Sequence, residues 1–269
     1  MKNFVVLFMA AGMLLATTSC RWLALAKTAE QADTSDATRA KASDETVDSA
    51  PEYCDYRDHG HKFIDPDIFL SDGHFWSDFL EGSVHRHFDA MDMYALYREG
   101  EGRYHVAPVR IGPVFEENLC AGMDILLNVV RGNNDYIALL SGLKNYNLDS
   151  FAGIEHGARI FPGQNYTVEH GGLLYSFTAT ADGDDNSCVA NYRLYLAREG
   201  DGTEQLLTTL ECTESIPAIV FMGDVDGEPD LIVDETADNN HYRVLYLSSV
   251  AGESEVVRAV AENTDTRDC

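Results

Sequence analysis

Positive charge is what this sequence has least of. Lys and Arg together number 19 against 45 Asp and Glu in 269 residues, which gives a formal net charge of −26 at pH 7. Such a chain repels phosphate backbones and anionic lipid headgroups alike. That argues against nucleic acid as a partner and favours divalent cations as counter-ions, although keeping an exported protein soluble accounts for most of the charge. Long apolar runs are missing too, since the stretch from Phe4 to Leu15 is too short to span a bilayer comfortably. There is no G-x-S-x-G elbow, no phosphate-cradling G-x-x-x-x-G-K-[ST] loop and no H-E-x-x-H helix. The paired acids Glu116 and Glu117, and Asp184 and Asp185, read as solvated turns in so acidic a chain. No segment spells out a reaction.

What is present begins with an address. Lys2, the apolar run and the small residues before Cys20 follow the order of a cleavable secretory signal over residues 1–19. The stretch Ala16-Thr17-Thr18-Ser19-Cys20, with Leu14 and Leu15 just upstream, resembles the lipobox of bacterial lipoproteins; it departs from it at Thr17, where Leu is usual. The resemblance implies lipidation of Cys20 and, because Arg21 rather than Asp follows, an outer-membrane anchor. From Ala26 to Ala50 the sequence has no aromatic residue and almost no large aliphatic one, so residues 20–50 read as the lipidated Cys and a flexible tether.

The remaining chain, 45% apolar over the whole sequence, is long enough for one large or two small domains. It reads as an N-terminal β-rich part over 51–160, with a short helix around His87 to Tyr97, and a C-terminal hairpin part over 161–269. Short β-rich runs at 104–111, 124–130, 135–140 and 173–180 are each bounded by Gly, Asn or Asp. The expected class is mainly β, with antiparallel sheets and hairpins in a sandwich- or barrel-like arrangement.

One hairpin can be derived residue by residue. Residues 188–197 and 204–212 flank a Gly- and Asp-containing turn. A turn centred on Gly200 sets Cys188 opposite Cys212 and Leu194 opposite Leu206. Ala190, Tyr192, Leu194 and Leu196 then share the core face with Cys188, and Leu206, Thr208 and Leu210 with Cys212. Asn191, Arg193, Gln205 and Glu211 take the other face. A Cys188–Cys212 disulfide follows in an oxidising envelope. With Cys20 lipidated, Cys54, Cys120 and Cys269 remain, an odd number that leaves one thiol free or paired between chains. A second strand pair is expected at 241–248 and 254–261 around Gly252. Its HYRVLYL echoes NYRLYL at 191, through either a weak repeat or shared hairpin grammar.

Between these hairpins lies GDVDGEPDLIVD, residues 223–234, with Asp224, Asp226, Glu228 and Asp230 at every second position. Calcium needs six to eight oxygen ligands, which short acidic loops with a Gly supply. So many carboxylates in one loop repel each other without an ion. The alternative is a hairpin turn on Asp226-Gly227 whose acids face water. The stretch resembles the FG-GAP or VCBS type of calcium-binding repeat, which runs Gly-Asp-x-Asp-Gly-Asp-Gly-x-x-Asp before an apolar strand. The resemblance implies ligand roles for Asp224, Asp226 and Asp230 and a turn role for Gly227. The second Asp-Gly pair is absent, so the loop is two residues shorter and Glu228 is the only replacement for the missing Asp. More loosely, the last 110 or so residues resemble bacterial lipoproteins with one such motif near the C-terminus. That implies an envelope location and a β-rich fold.

Histidines supply the rival reading. His59, His61, His74, His85 and His87 crowd the start of the folded part, and an H-x-H pair on a strand points both rings to one face, as zinc requires. His61, His85 and His87 around a zinc-bound water would make a hydrolase; solvated loop histidines are the commoner outcome. Aromatics between Tyr53 and Tyr97 could line a carbohydrate or peptide cleft, or pack a core. The expectation is therefore a non-catalytic outer-membrane lipoprotein with a protein or carbohydrate ligand and calcium as a structural ion, the alternative being a zinc-dependent hydrolase.

Overall fold

The structure, a computed structural model, describes residues 64–77, 81–117, 123–185, 188–200, 202–227, 229–236 and 240–266. All of them fall in one compact unit, His59–Cys269. The signal, Cys20, the tether, His59, His61, Glu228 and the cysteines at 54, 120 and 269 lie outside the described residues.

The fold is mainly β. Strands β1 (Phe69–Ser71) and β2 (His74–Ser77) precede a single helix among the described residues, α1 (Glu81–Asp89). Then come β3 (Met93–Gly100), β4 (Arg103–Val109), β5 (Ile111–Glu117), β6 (Met123–Val129), β7 (Tyr136–Ser141) and β8 (Phe151–Arg159). The second half holds β9 (Asn165–His170), β10 (Leu173–Thr180), β11 (Gly183–Asp185), β12 (Cys188–Arg198) and β13 (Thr203–Thr213). Strands β14 (Ala218–Gly223), β15 (Asp230–Asp234), β16 (Asn240–Leu247) and β17 (Arg258–Thr266) complete the chain. Glu116, Glu117, Asp184 and Asp185 thus lie in strands β5 and β11, where turns were expected.

Nine strands form one antiparallel sheet in the order β1-β7-β3-β4-β8-β14-β15-β16-β17. It curls almost into a barrel. Asp65 N–H, just ahead of β1, donates to Val260 O of β17 at 2.8 Å, which brings the two edges together. The sheet draws on both expected parts, 51–160 and 161–269, joined where β8 pairs with β4 on one side and β14 on the other. Its interior is filled by Leu96, Val106, Leu140, Phe151, Phe221, Ile232 and Leu245 among others.

Two smaller layers cover the outside. A sheet of β9, β10, β11, β12 and β13 packs Phe177, Tyr192 and Leu194 against Leu231, Val233, Val244 and Tyr246. On the other flank, β2-β6-β5 and α1 pack Val84, Phe88, Ile125 and Leu127 against Met93, Ala95 and Leu139. Strands β3 and β15 are therefore buried on both faces, with alternate residues serving different cores.

That double burial explains one correction. The helix expected at His87 to Tyr97 is instead Glu81–Asp89, and Met93–Gly100 is a strand. Met93, Ala95 and Tyr97 face the outer layer while Leu96 faces the barrel, so the alternation that marks a strand disappears from the sequence. In α1 the apolar pair Val84 and Phe88, four residues apart, forms the buried stripe, with burial of each stabilising by about 1.5–3 kcal/mol.

The β12–β13 hairpin forms, with a corrected register. Leu194 pairs with Thr208 and Tyr195 with Leu206, leaving Leu207 as a bulged residue. The bulge buries Leu207 and turns Leu206 outward, to 48% exposure, where the inward face was expected to hold Leu206. Ala190, not Cys188, stands opposite Cys212, yet the Cys188–Cys212 disulfide is present across the diagonal with Cα atoms 5.4 Å apart. Tyr192, Leu194, Leu196, Thr208 and Leu210 are buried as the alternation requires. Gln205 is not solvated: its Oε1 accepts from Val256 N–H at 2.7 Å and its Nε2 donates to Val257 O at 2.6 Å. In the second pair β17 begins at Arg258, because Val256 and Val257 leave the sheet to join the core under β12.

Candidate functional site

Gly223, Val225 and Gly227 each have a structural role in the β14–β15 connection. Gly223 pairs with Asp230 at the end of the ladder. A Cβ there would sit 2.6 Å from the Phe221 ring and 3.2 Å from that of Phe151, so the two aromatic rings require glycine. Val225 turns into the barrel and is fully buried among its core residues, and its carbonyl accepts from Asn147 N–H at 2.8 Å. Gly227 has φ +103°, a left-handed value that a side chain resists.

With Val225 inward, its acidic neighbours face outward and separate. Asp224 Oδ1 lies 2.7 Å from Nε2 of His170, whose side chain is buried at the end of β9. This contact ties the five-stranded sheet to the turn of the nine-stranded one. Asp230 is 1% exposed; its Oδ2 accepts from Asp226 N–H at 3.1 Å and its Oδ1 from Ser248 N–H at 3.3 Å. Asp226 Oδ2 accepts from Ser249 Oγ. Burial pushes the Asp230 carboxyl well above the ordinary aspartate range, and the charge of Asp226 adds to it; the amide donors offset only part.

Tested against calcium, the described residues fit in part. Asp226 and Asp230 adjoin one another, whereas Asp224 is engaged by His170. Glu228 lies outside the described residues, and among them no group of three or more His, Cys, Asp or Glu is arranged to hold a metal ion. Of the residues that spacing suggested as calcium ligands, Asp226 and Asp230 meet directly, through the Asp226 N–H that donates to Asp230 Oδ2.

Asp230 also forms part of the wall of a cleft of about 310 Å³. Tyr175, Phe177 and Leu196 of the outer sheet, Leu231 of β15, and Val256 and Val257 supply apolar lining; Arg198, Glu253 and Glu255 add charge. Gly252 N–H and Arg258 Nε both donate to Glu255 Oε2, at 2.8 and 2.9 Å, and fix the loop that bounds the cleft.

The histidine cluster is arranged differently from the strand reading. His85 and His87 lie on α1, where positions two apart project roughly 200° around the axis, so the helix sends the rings to different sides. The His85 ring lies 5.5 Å from that of Phe115 and the His87 ring 5.1 Å from that of Phe88. Desolvation holds the His87 pKa below the ordinary value. His74 is in β2, and its backbone N–H donates to Asp72 Oδ1 at 3.3 Å.

Two functional groups escaped the sequence. His170, in the Glu-His-Gly-Gly turn, carried no spacing signal linking it to Asp224. Glu235 reads as one more surface acid, yet it is fully buried, accepting from Thr208 Oγ1 at 2.9 Å and from the Tyr246 hydroxyl at 3.0 Å. Compared with models of protein families, with curated proteins and with solved structures, the chain matches none. Among the described residues no helix is long and apolar enough to cross a membrane.

Proposed function

We propose that this chain is a non-catalytic lipoprotein of the bacterial outer membrane, held there by lipid on Cys20, and that it acts as a binding module. The observation that carries the reading is the position of Asp230. One buried carboxylate belongs both to the acidic turn and to the wall of a cleft of about 310 Å³, so whatever fixes the turn also shapes the cleft. That volume lies at the lower end of small-ligand sites, and its lining, apolar side chains beside a larger share of polar surface, suits a sugar ring or a polar protein side chain.

Calcium enters this proposal as a structural ion of Asp224, Asp226 and Asp230, with Glu228 as the fourth carboxylate. The nearness of Asp226 to Asp230 supports it, because a cation offsets the repulsion between them. Asp224 has to leave His170 to take part, so the ion competes with an existing contact. The proposed role is to order the cleft wall and involves no chemistry. Two measurements test the proposal. Isothermal titration with calcium is expected to show one site, weakened at least tenfold by Asp226→Ala. Fractionation of cells making the Cys20→Ser variant is expected to move the protein from the membrane to the soluble fraction. No binding heat, or a Cys20→Ser protein that stays with the membrane, overturns the corresponding half.

A further inference from the structure

We propose that an open groove on the flank opposite the acidic turn's cleft partners, built from β3, β4, the β4–β5 link, the end of β6 and the β6–β7 turn, binds the oxyanion of a small organic anion. It is a cavity of about 530 Å³ whose twelve lining residues include Arg98, His105, Arg110 and Arg131. None of the twelve is a carboxylate. With 45 acids in 269 residues, twelve residues would ordinarily hold about two. One groove of a strongly acidic chain is thus lined by three arginines and no acid.

Two of the three arginines keep donors to spare. Arg98 commits its fork, since Nε, at 2.8 Å, and Nη2 both donate to the Glu155 carboxylate, whereas Arg110 meets Asp89 at 3.2 Å in a pair that is largely exposed on both sides. Exposed pairs of that kind contribute little. Arg131 has no ion pair or hydrogen bond with any described residue. Its backbone is also held left-handed, at φ 58°, a conformation glycine adopts at lower cost.

The turn that holds it there is firmly built. Val129 N–H donates to Asn134 Oδ1 at 2.6 Å, Asp135 N–H to Asn133 Oδ1 at 2.9 Å, and the Tyr97 hydroxyl to Asn133 O at 3.0 Å. Val130 N–H donates to Arg110 O at 2.8 Å, which joins the turn to the β4–β5 link that carries the second arginine. The fold therefore keeps a guanidinium at a strained position without using it for any internal contact. His105 belongs to the groove wall: its ring stacks on Tyr97 at 5.5 Å, and its buried Nδ1 has no hydrogen-bond partner among the described residues.

The chemistry follows from the donor type. A guanidinium presents a planar fork that matches carboxylate and phosphate oxygens two at a time. Tyr97, Ala107, Val109 and Val129 offer apolar surface beside it for the body of the molecule. The net charge of −26 repels polyanions at a distance, so the fit is to a small anion. This inference is independent of the acidic turn and stands or falls without it.

The test is a backbone amide NMR titration of the protein with inorganic phosphate, with benzoate, and with chloride at matched ionic strength. Saturable shifts confined to residues 105–110 and 129–133, given by phosphate or benzoate and absent with chloride, are expected. Phosphate alone identifies a phosphate ester as the ligand class, and benzoate alone a carboxylate. Arg131→Gly is expected to weaken binding at least tenfold while leaving the thermal midpoint unchanged or higher, because glycine relieves the left-handed backbone. Arg110→Gln, which leaves that backbone alone, is expected to weaken binding several-fold. Non-saturating shifts equal to those of chloride, or unchanged affinity in both variants, would overturn the proposal.

Discussion

Replacing Glu235 by Leu probes how the outer sheet is fastened to the barrel. The Glu235 carboxylate, fully buried just beyond β15, accepts from Thr208 of β13 and from Tyr246 of β16, and so bridges the two sheets. Leucine removes both acceptors. Each buried hydroxyl left without one costs about 1–3 kcal/mol. The Tyr246 hydroxyl has a fallback in Leu207 O at 3.3 Å, which recovers part of its loss. The expected destabilisation is about 2–4 kcal/mol, a large share of the 5–15 kcal/mol typical of a folded domain. Urea unfolding followed by circular dichroism reads it as a lower midpoint at unchanged slope. The triple variant Glu235→Leu, Thr208→Val, Tyr246→Phe removes the orphaned donors as well and is expected to return to within about 1 kcal/mol of the parent. A cost below about 0.5 kcal/mol for the single variant, or a triple variant as unstable as the sum of its parts, refutes the reasoning.

Three further outcomes follow from named contacts. Tyr192→Phe removes the hydroxyl that donates to Ile160 O at 2.7 Å in the buried layer and is expected to cost about 1–2 kcal/mol in the same urea assay. Replacing Cys188 and Cys212 together by Ala opens a loop with a sequence separation of 24 and is expected to cost about 3 kcal/mol in the same assay. Glu255 accepts from Gly252 N–H and pairs with Arg258, which holds its pKa below the ordinary 4.5. Its contribution is complete above that value and is lost as pH falls through the folded pKa. A scan of thermal midpoint against pH is therefore expected to show Glu255→Gln less stable than the parent near neutrality and the difference vanishing in acid.

Local pattern made much of the fold legible. The run read as a strand at 173–180 is β10 to the residue, because Gly171 and Gly172 mark its start with a two-residue turn at positive φ. In β12 the inward set Cys188, Tyr192, Leu194 and Leu196 was readable because Asn191 and Arg193 mark the opposite face as polar. The bulge at Leu207 was not, since Leu206 and Leu207 are chemically alike and only the partner strand decides which turns inward. Strand β3 was hidden by burial on both faces. The curled nine-stranded sheet depends on the pairings β1–β7, β4–β8 and β8–β14, which join segments far apart in sequence and leave no local mark. At the acidic turn the spacing of Asp224, Asp226 and Asp230 was plain, but their directions were not. Val225 and the Phe221 and Phe151 rings set those directions, and His170 takes up Asp224. The echo of NYRLYL in HYRVLYL falls on β12 and β16, which belong to different sheets and each begin a strand pair.

The central claim, that the acidic turn holds a cation which orders the cleft beside it, is tested most directly by the thermal midpoint of the protein in EDTA and then in millimolar calcium. The Asp224→Ala, Asp226→Ala double variant serves as the comparison. Binding to the folded state alone raises stability by about 2.7 kcal/mol when calcium is at one hundred times its dissociation constant. At this size that corresponds to a rise of several degrees in the parent, and none is expected in the variant. Identical midpoints in EDTA and calcium for the parent would contradict the claim and leave GDVDGEPDLIVD as a hairpin connection held by contacts such as those of Asn147, His170, Ser248 and Ser249.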